Sequence, residues 1–217
     1  MKENYKNFNK NIHVITNGFD GELSDSKSEL DEKFTLTHVG MMNADRNPKI
    51  LWLALAELTN ENAEFASDLQ IKLIGKVADD VIKSIHASKL EGKIQFINYI
   101  PHHEVMDYQR SAQVLLLPVN NVPSVKGIIT GKIFEYLQAK RPIIAIAPLD
   151  GDLAEIINST NSGIVVDFED KEKLKNSILD FYKRYKENDL NTESKNIKQY
   201  HRKNITKQLV DVINNIK

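Results

Sequence analysis

Gly131, Lys132 and Glu135 stand close together in the stretch GIITGKIFEYLQAKRPIIAIAP, residues 127–148. The apolar spacing predicts a helix opening near Thr130-Gly131, then a strand over residues 143–147. A helix start presents unpaired N–H groups and the positive end of the helix dipole, a setting that favours anions. Gly131 lets a ligand approach the backbone closely. Lys132 adds a mobile positive charge. Glu135 lies one turn further in, and helical side chains lean back toward the N-terminus. Its carboxylate therefore falls beside a bound phosphate, where it can accept two hydrogen bonds from a vicinal diol such as a ribose. Phosphate on the amides and ribose on the acid would bind a nucleotide. Two plainer readings of Glu135 stay open: it favours its own helix through the dipole, or it pairs with Lys132 at i−3.

A P-loop does not account for the Gly-Lys pair. That motif needs a glycine five residues before the second one and Ser or Thr after the lysine. Those positions hold Lys126 and Ile133. Other polar candidates have plainer readings. His102 and His103 are adjacent at a helix start, so they point apart, and no acid pattern completes a metal site around them. Asp150 and Asp152 flank Gly151 in a strand-to-helix loop, where Asp152 serves as an N-cap. His38, at a strand end, reads as a packed core residue. Arg46 follows a strand in a loop where a charge is either solvated or functional.

These residues hang on an alternating pattern of short apolar strands and longer amphipathic helices. Strands are expected over residues 34–39, 71–74, 93–97, 114–117, 143–147 and 163–166. Helices are expected over 47–58, 77–90, 101–111, 153–159, 171–185 and 195–216. Strands that are apolar on both faces belong to a parallel sheet covered by helices. The fold class is therefore α/β: a Rossmann-like doubly wound parallel sheet of about six strands with helices on both faces. In such sheets ligands bind beyond the carboxyl ends of the strands. That directs attention to the loops after each strand, Gly40 and Arg46 among them.

The chain has 217 residues, a formal net charge of −1 and 41% hydrophobic residues. That composition supports one sizeable core and gives no basic excess for nucleic acid. There are no cysteines, so disulfides, zinc–thiolate sites and cysteine catalysis are excluded. The N-terminal residues carry no apolar signal-peptide core. Three regions are expected: a polar segment and connection over 1–33, an α/β domain over 34–190, and a bracing helix over 191–217. The stretch 20–33 is acidic and serine-rich, and reads as a linker or exposed loop.

In order along the chain, several segments resemble the group 1 (family-4) glycosyltransferases of the GT-B fold. TGKIFEYLQAKRPIIAIAPLDGDLAEII resembles the family's C-terminal signature. Asn17-Gly18-Phe19-Asp20 resembles an interdomain turn. FTLTHVGMMNADRNPKILWLALAEL resembles the strand, glycine loop and helix that open the C-terminal domain. KIQFINYIPHHEVMDYQRSAQVLLLP resembles the segment bearing the base-binding loop. The resemblance implies the donor-binding half of a retaining enzyme that uses a nucleoside diphosphate sugar and no bound metal or other cofactor. Its missing partner would be an N-terminal domain. The acceptor, lipid-linked or glycan, stays open, and a cytoplasmic chain peripheral to the inner membrane face is implied. Position by position, Glu135 corresponds to the acid that holds the ribose, and Thr130 and Gly131 to the helix start near the diphosphate. Ile100 corresponds to a backbone contact to the base, and Gly40 to the glycine loop. Arg46 and Lys132 would hold the diphosphate, Met41 standing where the family usually has arginine. The family's first acid, eight residues before Glu135, is here Gly127. The loop Asn120-Asn121-Val122-Pro123-Ser124 is left to contact the sugar. A second reading is a non-catalytic nucleotide-binding or interaction module derived from this fold.

Overall fold

The computed structural model describes residues 12–21 and 29–215. Six strands form one parallel sheet: β1 (Phe34–Val39), β2 (Leu69–Ile74), β3 (Ile94–Ile97), β4 (Val114–Pro118), β5 (Ile143–Ile146) and β6 (Gly163–Val166). Their order is β3-β2-β1-β4-β5-β6. The connections thus run outward in both directions from β1 and β4, the doubly wound Rossmann order. On one face lie α1 (Lys49–Glu61), α2 (Ala63–Asp68), α3 (Asp79–Ala87) and α7 (Lys171–Lys186), packed on Phe34, Leu36, Leu116 and Ile144. On the other lie α4 (His102–Ser111), α5 (Lys132–Ala139) and α6 (Asp152–Thr160), packed on Leu115, Leu117, Ile143 and Ala145. The central strands β4 and β5 feed alternate side chains into two cores, which is why they read as apolar without a break, while β1 and β2 interleave polar residues such as Thr35, Thr37, Gln70 and Lys72. The expected fold class holds.

Three local expectations differ. The first helix does not stop at residue 58. It runs to Glu61, and Asn62 then caps a second, short helix by accepting from the Phe65 N–H at 3.0 Å. Asp152 is the first helical residue of α6 rather than its cap, a place held by the extended backbone of Gly151. The bracing helix expected over residues 191–217 is shorter: a 3-10 turn (Ile197–Tyr200) precedes α8 (Arg202–Asn214). Asn196, left-handed at φ 56°, starts the 3-10 turn, and helical continuity breaks after it at His201, whose backbone is extended. The chain at Phe19 also pairs there with Tyr200 and Arg202, by two backbone hydrogen bonds of 3.0 Å. Of the stretch 20–33, residues 22–28 lie outside the described residues, as do 1–11 and 216–217. Asp31, within that stretch, is no solvated loop charge. It takes a 2.6 Å ion pair from Lys72 and a hydrogen bond from the Thr35 hydroxyl.

The sheet opens where its winding reverses. β1 and β4 pair only through Leu36–Val114 and Thr37–Leu115. Beyond that the strands diverge, and backbone groups that would have bonded across the pair need other partners. The Val39 N–H donates to the Tyr136 hydroxyl at 3.1 Å, and that hydroxyl donates to the Leu116 carbonyl at 3.3 Å. The same carbonyl accepts from Nδ1–H of His38 at 3.0 Å. Tyr136 and His38, both wholly buried, thus close the gap from the two faces of the sheet. Burial pushes the Tyr136 phenol well up, so it stays protonated.

Removing only the hydroxyl, as in Tyr136→Phe, strands the Val39 N–H; we expect a loss of about 1–3 kcal/mol. A lowered urea midpoint with an unchanged slope would report it. Burial also holds His38 down to about 4 from 6.5, with Lys132 and Arg46 adding repulsion to its cation. The unfolded chain takes up this proton at the higher pH, so stability is full above 6.5 and is lost as pH falls toward 4. We expect a decline of about 2 kcal/mol between pH 7 and pH 5 from this group. Urea unfolding at both pH values should show that decline flattened in His38→Leu.

Candidate functional site

The loops after β1 and β4 and the start of α5 meet over this opening. β1 ends in Gly40, whose φ of 115° is a left-handed-side conformation that suits glycine. A β-carbon there would stand 2.3 Å from Cε of Lys132. The lysine stem therefore lies directly across the strand end, with its Nζ 2.8 Å from the same point. Gly75, at the end of β2 with φ 113°, leans on the Gly40 carbonyl and turns its own loop aside.

Arg46 is the second cation. It closes a 3-10 turn (Ala44–Arg46) capped by the Asn43 side chain. Its guanidinium donates to the Met41 carbonyl at 2.8 Å and to Oδ1 of Asn120, in the loop after β4, at 3.0 Å. A backbone bond from Asn121 to Asp45, 2.9 Å, ties the same two loops. Burial lowers the pKa of both Arg46 and Lys132, and for Lys132 the nearby Arg46 lowers it further, against an opposing pull from Glu135. Among the described residues no carboxylate forms an ion pair with either. Met41, where the resemblance points to a missing arginine, is exposed and 56% accessible.

α5 begins at Lys132, with Gly131 in the cap position. The N–H groups of Ile133 and Phe134 are taken by the carbonyls of Thr130 and Gly131. The helix start therefore offers the amides of Gly131 and Lys132 themselves. Glu135 sits in the first turn, but it neither caps that helix nor pairs with Lys132. Its Oε2 accepts from Nε2 of Gln109 on α4 at 3.0 Å. Beside it runs a cavity of about 380 Å³ between α4, α5 and residues 17–20, lined by Glu135, Gly131, His102, Met106 and Gln138 among others. Asp20 is held at its rim by Arg202 at 2.6 Å and by Gln138.

The structure thus brings Gly40, Arg46, Thr130, Gly131 and Lys132 to one end of the crevice and Glu135 to its α4 side. Ile100, half-buried in the segment from β3 to α4, lies two strands over from β1, roughly 10 Å laterally. His102 and His103 are exposed at the start of α4. No group of three or more potential metal ligands gathers among the described residues. Asp150 is paired with Lys126 at 2.5 Å. Gly127 ends a 3-10 turn (Val125–Gly127), has no positive φ, and a β-carbon there would meet nothing within 4 Å. Glycine is therefore not demanded at 127. Sequence reasoning missed Gln109, Asn120 as the Arg46 partner, and Tyr136. α4 is a mostly polar helix whose one buried residue is Gln109, so nothing in the sequence around it set it apart.

Comparison with known proteins agrees with this architecture. No curated protein matches the chain. Among solved structures, a TarM mutant from S. aureus in complex with fondaparinux, alpha-GlcNAc-glycerol and UDP aligns with 95% of this chain and 40% of its own, at 15% identity and TM-score 0.64. Anabaena HepE in complex with UDP aligns with 94% of this chain and 57% of its own, at 17% identity and TM-score 0.71. The C-terminal domain of a glycosyl transferase group 1 family protein (LpcC) from Francisella tularensis aligns over 83% of this chain and 88% of its own, at 14% identity and TM-score 0.55. At these identities the likeness is one of fold, and the chain spans 40% and 57% of the length of the first two proteins. Among the described residues no helix is long and apolar enough to cross a membrane. The model of the glycosyl transferases group 1 family matches residues 20–204, most of the sequence, and the chain belongs to that family.

Proposed function

We propose that this chain is the donor-binding half of a retaining glycosyltransferase, working with an N-terminal domain that completes the cleft. The carrying observation is the pair of half-buried cations, Arg46 and Lys132, set at the sheet's opening with no carboxylate among the described residues paired to either. Such a pair suits a diphosphate. Lys132 across Gly40, Arg46 braced by Met41 and Asn120, and the amides of Gly131 and Lys132 would together hold it at a helix start. Glu135 would take the ribose hydroxyls, and the Ile100 backbone the base.

In the reaction the bond from the sugar's anomeric carbon to the diphosphate oxygen breaks as the acceptor hydroxyl oxygen bonds to that carbon and its proton leaves. Negative charge grows on the departing phosphate, and preorganised cations and amides stabilise that state more than the bound donor. Arg46 is suited to this because two hydrogen bonds already hold it, so little reorganisation is needed when charge develops. No nucleophile from this half is required. TarM and HepE were each seen with UDP, which makes UDP the first nucleotide to test. The acceptor, lipid-linked or glycan, would be held mainly by the other domain, with the chain in the cytoplasm against the inner membrane face.

Gly127 and Met41 favour a second reading, a non-catalytic nucleotide-binding module. A side chain would fit at 127, so the absence of an acid there answers no packing need.

Thermal unfolding with UDP, GDP and ADP tests the first step. A nucleotide at about 100 times its dissociation constant should raise the melting temperature by about 5–10 °C. Glu135→Ala and Lys132→Ala should each weaken binding about tenfold. No shift with any nucleotide would sink the donor reading, and a shift indifferent to Glu135→Ala would sink the ribose role. The isolated chain should transfer no sugar. Nucleotide binding that persists without transfer, even when a matching N-terminal domain is supplied, would favour the non-catalytic module.

A further inference from the structure

We propose that Gln109 is the positioning residue for the Glu135 carboxylate, holding it ready for a ribose diol; this rests on the reading of Glu135 given above. Gln109 is the last-turn residue of α4 that reaches toward α5. It is wholly buried, and its Nε2 donates to Glu135 Oε2 at 3.0 Å. A carboxylate only accepts, so the amide must turn its NH₂ toward Glu135, which sends its own Oε1 the other way. That oxygen is buried without a hydrogen-bond partner. Leucine or methionine would fill this place without an unsatisfied acceptor. The one return on keeping glutamine here is the hydrogen bond to Glu135.

Three consequences follow from the bond. One carboxylate oxygen is fixed, while Oε1 of Glu135 has no protein donor among the described residues, so the charge-bearing group is oriented with acceptor capacity to spare. The partner is neutral, so it holds Glu135 without cancelling its charge, as a lysine or arginine would. And Glu135 is drawn toward α4, away from the i−3 pairing with Lys132 that the helix makes available. Lys132 instead lies across Gly40. Gln109 thereby keeps an acid and a base on one helix turn from neutralising each other.

The test is a double-mutant cycle on the 217-residue chain, read as UDP affinity by calorimetry: wild type, Gln109→Met, Glu135→Ala and the double variant. Gln109→Met should raise the dissociation constant about fivefold when Glu135 is present and leave it unchanged when Glu135 is absent. A merely structural role would weaken binding equally in both backgrounds and would overturn the proposal. So would Gln109→Met binding UDP as wild type does while Glu135→Ala does not. If wild type fails to bind UDP, or Glu135→Ala binds as tightly as wild type, the ribose reading itself falls and this one with it. Should Gln109→Met not fold, Gln109→Asn runs the same cycle: it keeps an amide but is one methylene too short to reach.

Discussion

The divergence of β1 and β4 is the constraint on which the crevice depends. The helix after β1 goes to one face of the sheet and the helix after β4 to the other, so the two strands cannot stay zipped to their ends. Opening them frees backbone groups in a buried place, where an unpaired N–H is costly. Tyr136 resolves this by bonding both the Val39 N–H and the Leu116 carbonyl. It also fixes the rotation of α5. Lys132 is four residues before Tyr136, on the same side of the helix. Pinning Tyr136 to the strand ends therefore lays Lys132 over Gly40. Glu135, about 100° around the helix, faces α4 and Gln109. One hydroxyl thus sorts the cation and the acid of α5 onto different walls.

Several cations elsewhere in the molecule have acids within reach, although buried Arg141 donates to neutral oxygens of Ala112, Gln113 and Leu190. Lys171 and Lys175 share Glu57, with Glu61 added; Lys186 meets Glu64 and Asp68; Lys72 meets Asp31. The exposed members of these networks add little individually. In the crevice Arg46 and Lys132 are both partly desolvated, Arg46 disfavours the charge on Lys132, and Arg46 donates to the neutral oxygens of Met41 and Asn120. His38 beneath them is kept neutral by burial and by the same two charges. Perturbed groups gathered at a sheet's opening mark function more often than packing.

Much of this was legible in the sequence because it is carried by short-range chemistry. Apolar runs ending in Gly40 and Gly75 announce strands that finish in a tight turn, and TGKIFEYL announces a helix start with an acid one turn in. What was hidden depends on partners brought together by the fold. Gln109 and Glu135 lie 26 residues apart and meet only because α4 packs on α5. The burial of His38 was readable from its place in an apolar strand, but its bond to Leu116 needs β4 as neighbour. The start of α8 was misread because the interruption comes from Phe19, at the opposite end of the chain, which no periodicity within the helix can reveal.

Gly40 and Gly127 mark the two ends of the proposed donor, and their glycines differ in kind. At Gly40 a side chain would meet Lys132 and the backbone conformation is unfavourable for it, so glycine is demanded beside Lys132. At Gly127 the backbone is ordinary and the space is open. Under the proposed reading, a departure from the family pattern at such a position would leave the nucleotide walls untouched and alter only what the sugar meets. The loop that then remains to meet it, Asn120 to Ser124, is itself bound to the Arg46 turn through the Arg46–Asn120 and Asn121–Asp45 bonds. Under the proposed reading, sugar selection and leaving-group stabilisation would therefore share one rigid unit. A change at Asn120 would shift Arg46 as well, so the sugar end can diverge freely at Gly127 but only at a catalytic cost at Asn120.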